Sequence, residues 1–230
     1  MTSSRPTALV TGASRGIGRA IARRLAPRWN IIAVARTAPD LETLAAEIRG
    51  SGGSCEPVVL DIADGDAVTS ALSSRIVDVV VNNAGVGVLK PLAELTPEDW
   101  HRMVDVNFNA LYHVTRAVLP GMMRRGRGHV IIIGSLAGRN AFVGGTCYSA
   151  TKHAVIGFAE SLMLEVRDSG VKVSTVMPGS VATSFSRFGG EAPWKLTGDD
   201  VAASVEFLLD TPQRMLVDRI EMRPLNPPKK

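Results

Sequence analysis

Thr11-Gly12-Ala13-Ser14-Arg15-Gly16-Ile17-Gly18 is the stretch that decides the fold. It ends an apolar run over residues 8–11 and opens into a segment, 16–26, where Ala20, Ile21 and Leu25 recur at helical spacing. Glycines let the chain turn tightly and bring its backbone close to a ligand. The new helix offers free N–H groups and its positive dipole end to a phosphate. A glycine-rich turn alone is weak evidence, but the order strand, turn, helix disfavours an ordinary connection. Gly12, Ser14, Arg15, Gly16, Ile17 and Gly18 are therefore candidate phosphate-binding residues.

Outward from this turn, short β-branched runs recur at 31–35, 57–60, 78–82, 130–133, 171–177 and 216–221. Together they look like strands buried on both faces. Helical segments lie between them at 41–51, 64–73, 97–125, 148–168 and 198–209. Thr96-Pro97-Glu98-Asp99 starts one of these, with Thr as cap and acids in the first turn, and Pro120 is expected to end or kink it. The alternation predicts an α/β fold: one Rossmann-type, doubly wound parallel sheet of about seven strands with helices on both faces. The whole chain, 1–230, reads as a single domain with a short substrate loop at about 184–197 and an extended, partly frayed tail at about 224–230.

Composition narrows the function classes. A hydrophobic fraction of 45%, a charged fraction of 21% and 22 glycines in 230 residues describe a globular chain. The net charge is +4, yet no basic stripe interleaved with aromatics exists. The longest basic cluster, Arg124, Arg125 and Arg127 followed by His129, reads as a solvated helix end, so no nucleic-acid partner is expected. Cys55 and Cys147 lack disulfide or metal-ligand spacing, which predicts reduced thiols, a cytoplasmic setting and no metal. No signal peptide is expected, since residues 1–10 lack the charged n-region and long apolar stretch one needs, and no membrane partner is expected, since no apolar run approaches about 18 residues.

Arg36 selects the cofactor. Dinucleotide folds specific for NAD commonly place an acid about 20 positions beyond the glycines to hold the ribose hydroxyl. Arginine removes that acceptor and suits a 2′-phosphate instead, with Arg15 able to close on the same group. NADP(H) is therefore expected.

Ser135 follows a strand, and Tyr148 begins a helix with Lys152 one turn on, so phenol and ammonium share a face. A free phenol, of pKa about 10, is a reluctant acid-base group at neutral pH, and a nearby cation is expected to lower that value. In carbonyl reduction Ser135 can hydrogen-bond the developing alkoxide and Tyr148 can protonate it. Alone, the Tyr/Lys spacing most often marks a surface pair. Phe185, Phe188 and Trp194, with Phe142 and Val143, are candidate apolar walls or simple loop packing, and Gly189-Gly190 can give that loop freedom to close. Cys147 reads as a small filler, and His113 and His153 as structural or surface groups.

Taken together these residues resemble the classical short-chain dehydrogenase/reductase family, in particular its 3-oxoacyl carrier-protein reductases and small carbonyl reductases. The matching pieces are the 11–18 turn, Asp61-Ile62, Asn82-Asn83-Ala84-Gly85, Asn107, Ser135, Tyr148-x-x-x-Lys152 and Pro178-Gly179 with Thr183, in family order. The resemblance implies that Asp61 and Ile62 border the adenine, and that Asn83, Ala84 and Gly85 line the ribose side. It also implies that Pro178, Gly179, Val181 and Thr183 meet the carboxamide and phosphate regions. Asn107 would hold a water linking Lys152 to solvent, and Lys152 and Tyr148 would touch the nicotinamide ribose. Helices 97–119 and 148–167 would pair chains into a homodimer or homotetramer.

Two departures stand out. Gly134 replaces a common second serine, which should alter packing more than chemistry, and the short loop before 198 argues against an elaborate lid. The leading expectation is NADPH-dependent reduction of a small carbonyl substrate. An alcohol dehydrogenase working oxidatively, and a nucleotide-sensing scaffold without chemistry, remain the alternatives.

Overall fold

The structure, a computed structural model, describes residues 5–183 and 192–228. The strands are β1 (Thr7–Thr11), β2 (Asn30–Ala35), β3 (Ser54–Val59), β4 (Val79–Asn82), β5 (Gly128–Ile133), β6 (Val171–Pro178) and β7 (Arg219–Met222). They form one sheet in the order β3-β2-β1-β4-β5-β6-β7, with every pairing parallel. Strand order reverses between β1 and β4, and in such sheets the crevice at that point, beyond the carboxyl ends, holds the ligand.

The helices are α1 (Gly16–Leu25), α2 (Ala38–Gly50), α3 (Gly65–Leu72), α4 (Pro97–Val104), α5 (Ala110–Arg124), α6 (Thr146–Val166) and α7 (Gly198–Asp210). They divide between the two faces because strand side chains alternate. Ala8, Val10, Ala33, Val81 and Ile131 pack with α1, α2 and α7. Leu9, Ile32, Val80, Val130 and Ile132 pack with α3, α5 and α6. A central strand therefore needs apolar residues at every position, which is why β1 and β5 read as unbroken runs.

The edges depart from the sequence expectation. β3 starts at Ser54, earlier than the apolar run, and alternates exposed with covered positions. Pro57 is tolerated there because an edge strand has N–H positions that need no partner. β7 is shifted to Arg219–Met222 and is likewise half-exposed.

The expected helix over 97–125 is interrupted at Asp105–Asn109, which forms a π turn between α4 and α5. Pro120 does not end α5, which runs on to Arg124. Both Pro120 and Arg116, whose carbonyl loses its donor, face solvent, and water can satisfy that carbonyl. The basic cluster after α5 also differs from a solvated end. Arg125 is partly buried and donates to the Val77 carbonyl at 2.6 Å, and Arg127 reaches Asp78 at 3.8 Å. His129 is buried against Ser174 at 2.8 Å.

Among the described residues no helix is long and apolar enough to cross a membrane. Nor is there a cluster of side chains suited to a metal among them. Residues 224–228 carry no regular structure, and Pro227 and Pro228, though exposed, border the cleft.

Candidate active site

A cleft of about 1180 Å³ opens at the carboxyl ends of β1, β4, β5 and β6. At one end sits the glycine turn. Gly12 has φ +65°, open to glycine and strained for other residues. A Cβ at Gly18 would collide with the Gly12 carbonyl and the Asn83 amide, so Gly18 seats α1 against the turn rather than lining the cleft. Arg15 caps α1 in extended conformation without a side-chain cap bond, and the first turn carries no acid. The leading N–H groups of α1 are thus left to meet an anion.

Asn83 braces this turn from below, donating its amide to the carbonyl of Thr11 at 2.9 Å. The hydroxyl of Thr11 accepts from the N–H groups of Asn83 and Ala84, locking the end of β4 to that of β1. Thr183 stands over Gly16 from above. Backbone bonds between Ala182 and Leu196 and between Leu196 and Ser180 clasp the two ends of the segment carrying the substrate loop. Phe185, Phe188 and Gly189-Gly190 lie outside the described residues. Arg36, at the end of β2, lies 3.7 Å from Asp61, and both border the cleft beside Ile62.

The proton-handling groups meet farther along. Ser135 leaves β5 in extended backbone, accepts from the Ala137 N–H at 3.1 Å and hydrogen-bonds Tyr148. Gly134 before it packs closely, since a Cβ there would lie 3.1 Å from the Thr175 side chain and 3.3 Å from that of Met177. Cys147 fills space beneath α4, reaching the Trp100 carbonyl, as its filler reading expects.

Lys152 is buried, donates to the Ile133 carbonyl at 3.1 Å and lies 5.9 Å from the Tyr148 ring centroid. Burial pulls its pKa down to about 8. The expectation that Lys152 depresses the Tyr148 phenol is not met here. Desolvation raises that phenol above its ordinary value, and the Ser135 hydrogen bond offsets only part of it. Removal from water disfavours charge on both groups, and this outweighs their mutual attraction.

Asn107 sits behind Lys152 rather than in the cleft. Its amide oxygen accepts from the Val86 N–H at 2.8 Å, and its nitrogen donates to the Val86 carbonyl at 2.9 Å and to Thr151 at 3.1 Å. The π turn is what carries Asn107 inward to this clasp. Asn107, Lys152, Thr11 and Asn82 border a cavity of about 10 Å³, roughly the room for one water molecule with polar partners.

The remaining candidates, Ser14, Ile17, Ala84, Gly85, Pro178, Gly179 and Val181, line the main cleft. Phe142 and Trp194 also line it, but Val143 does not and is 98% exposed. Sequence reasoning missed Val86, Val88, Leu89 and Leu136, which wall the far end. The 86–89 run is apolar but too short and aperiodic to read as an element.

The sequence matches the family described as short chain dehydrogenase over residues 6–192. An NADP-dependent 3-hydroxy acid dehydrogenase of Salmonella typhi is 36% identical over 94% of each chain. A metagenomic short-chain oxidoreductase solved in complex with NADP is 35% identical, with a TM-score of 0.86 over 97% of this chain and 99% of that one. A 3-oxoacyl-[acyl-carrier protein] reductase from Brucella melitensis is 30% identical, with a TM-score of 0.87 over 96% and 90%. On the glycine turn, the Ser135, Tyr148 and Lys152 cluster, and these likenesses, the chain belongs to the short-chain dehydrogenase family.

Proposed function

We propose that this chain is an NADP(H)-dependent oxidoreductase that reduces a small carbonyl substrate, with Tyr148 as the proton donor. The observation that carries the reading is the meeting of Ser135, Tyr148 and Lys152 in the same cleft as the phosphate turn. Relatives named for NADP and for hydroxy acids support it.

The residues present fit a dinucleotide: Gly12 and Gly16 line the cleft at the α1 N-terminus, whose leading N–H groups are free, and Arg15 and Arg36 suit a 2′-phosphate. When bound, NADPH supplies the hydride. Ser135 holds the carbonyl oxygen, and Tyr148 gives its proton to that oxygen as negative charge develops. A phenol kept protonated by burial is the form that reduction needs, whereas oxidation needs phenolate. Lys152 orients beside Tyr148 and, with the water-sized cavity at Asn107, provides a route for reprotonation. Loss of the phenol in Tyr148→Phe is expected to lower NADPH-dependent carbonyl reduction by about 10²–10⁴-fold. Unchanged turnover would remove Tyr148 from the mechanism.

We also propose a cytoplasmic homo-oligomer. Tyr112 on α5 and Leu164 on α6 are large hydrophobic side chains left exposed on the segments expected to pair. Light scattering should give the mass of a dimer or tetramer, and a monomer would refute it.

A further inference from the structure

Arg102 has no part in the chemistry above, yet its placement is specific. Among the described residues the basic side chains lining the cleft are Arg15, Arg36, Arg102, Lys152, Lys195 and Arg223. Arg36 faces Asp61, Arg223 lies 3.1 Å from Glu221, Lys152 donates to Ile133, and Lys195 lies 5.7 Å from the centre of the Trp194 ring. Arg15 and Arg102 alone have no side-chain hydrogen bond or ion pair. Arg15 stands at the phosphate turn. Arg102 stands in α4, across the cleft, where Val86, Val88, Leu89, Leu136 and Phe142 also line it.

The acids lining the cleft, Asp40 and Asp61, follow β2 and β3 on the side of Arg36. Glu98, Asp99 and Asp105 lie within about a helical turn of Arg102, but none of them forms an ion pair with it, and Asp99 is held by Lys90 at 3.3 Å. Nor is Arg102 explained as a cation at a helix C-terminus. α4 passes directly into the π turn and α5, and the Arg102 and His101 carbonyls accept from the Asp105 N–H. Arg102 is exposed to the solvent of the cleft, and beside apolar walls its guanidinium presents a planar fork that matches a carboxylate.

Resting on the reductase reading, we infer that the substrate is a short oxo acid, or the matching hydroxy acid in reverse, whose free carboxylate is held by Arg102. Arg102 is thus the residue that determines specificity for acids over their neutral derivatives. Ser135 and Tyr148 engage the carbonyl, Arg102 the carboxylate, and the apolar walls the carbon chain between them.

The test measures NADPH oxidation with 3-oxobutanoate, its ethyl ester and its N-acetylcysteamine thioester, for the wild type, Arg102→Gln and Arg102→Lys. NADPH fluorescence enhancement serves as the folding control. The wild type should prefer the acid to the ester in kcat/KM by about tenfold or more, as expected of a charge-assisted contact. In Arg102→Gln that ratio should collapse towards one, chiefly through KM for the acid, and Arg102→Lys should restore part of it. A wild type that turns over ester or thioester as well as acid overturns the carboxylate assignment alone. So does an acid preference that survives in Arg102→Gln. No NADPH oxidation with any of the three overturns the reductase reading and this inference with it.

Discussion

Replacing Lys152 with methionine should stabilise the protein without cofactor while abolishing its activity. Lys152 is 5% exposed, and burial takes its pKa from 10.5 in the unfolded chain to about 8 in the fold. A difference of about 2.5 units means that holding the ammonium in the fold at pH 7 costs about 3 kcal/mol. Methionine fills similar space without charge, but leaves the Ile133 carbonyl without its donor, an opposing loss of about 1–3 kcal/mol.

The pH dependence separates these terms. Between pH 8 and 10.5 the unfolded chain holds the lysine proton more tightly than the folded one, so wild-type stability rises with pH across that window. Methionine gains nothing there. The stability of Lys152→Met relative to the lysine protein should therefore fall by about 2 kcal/mol between pH 7 and 9.5, or about 4–8 °C in Tm. Thermal unfolding without NADP, with both proteins in a Tyr148→Phe background to silence the phenol, measures this directly. A difference in Tm that stays constant with pH, or grows, refutes the claim that Lys152 is held against its own desolvation.

Other outcomes follow from the same structure. Arg36→Asp should lower the preference for NADPH over NADH by about tenfold or more, because it replaces a phosphate partner with a ribose acceptor; unchanged preference in steady-state kinetics would place the 2′-phosphate elsewhere. Gly18→Ala should destabilise the fold by about 1–3 kcal/mol and weaken NADPH binding, since its Cβ meets the Gly12 backbone; an unaltered Tm would contradict that packing. His129 has its pKa pulled down to about 3 by burial and by Lys172. Below about pH 6.5 the unfolded chain takes up a proton that the fold refuses, so stability falls as pH drops towards 3. His129→Gln should flatten that acid limb in denaturant titrations, and equal slopes would show that His129 is not the group responsible.

The sheet, the glycine turn and the family are legible in the sequence because each is written in contiguous residues. Near-continuous apolar runs are what a strand covered on both faces requires, as β1, β4 and β5 are. The 11–18 turn carries its own backbone requirements, and Tyr148 and Lys152 are brought together by helical spacing alone. Strand ends at β3 and β7 were less legible, since an edge needs fewer apolar residues and its limits are set by neighbours. The π turn and the survival of α5 past Pro120 depend on distant partners: Val86 and Thr151 for Asn107, and solvent for the Arg116 carbonyl.

The electrostatics depend on how the chain folds. Spacing predicts that a lysine one turn away lowers the tyrosine pKa, but it carries no information on how much water remains, and burial reverses the sign. For the same reason Arg102 passed unnoticed. A single arginine in a helix has no pattern, and it becomes informative only when the fold sets it in the lining of the cleft without an ion-pair partner.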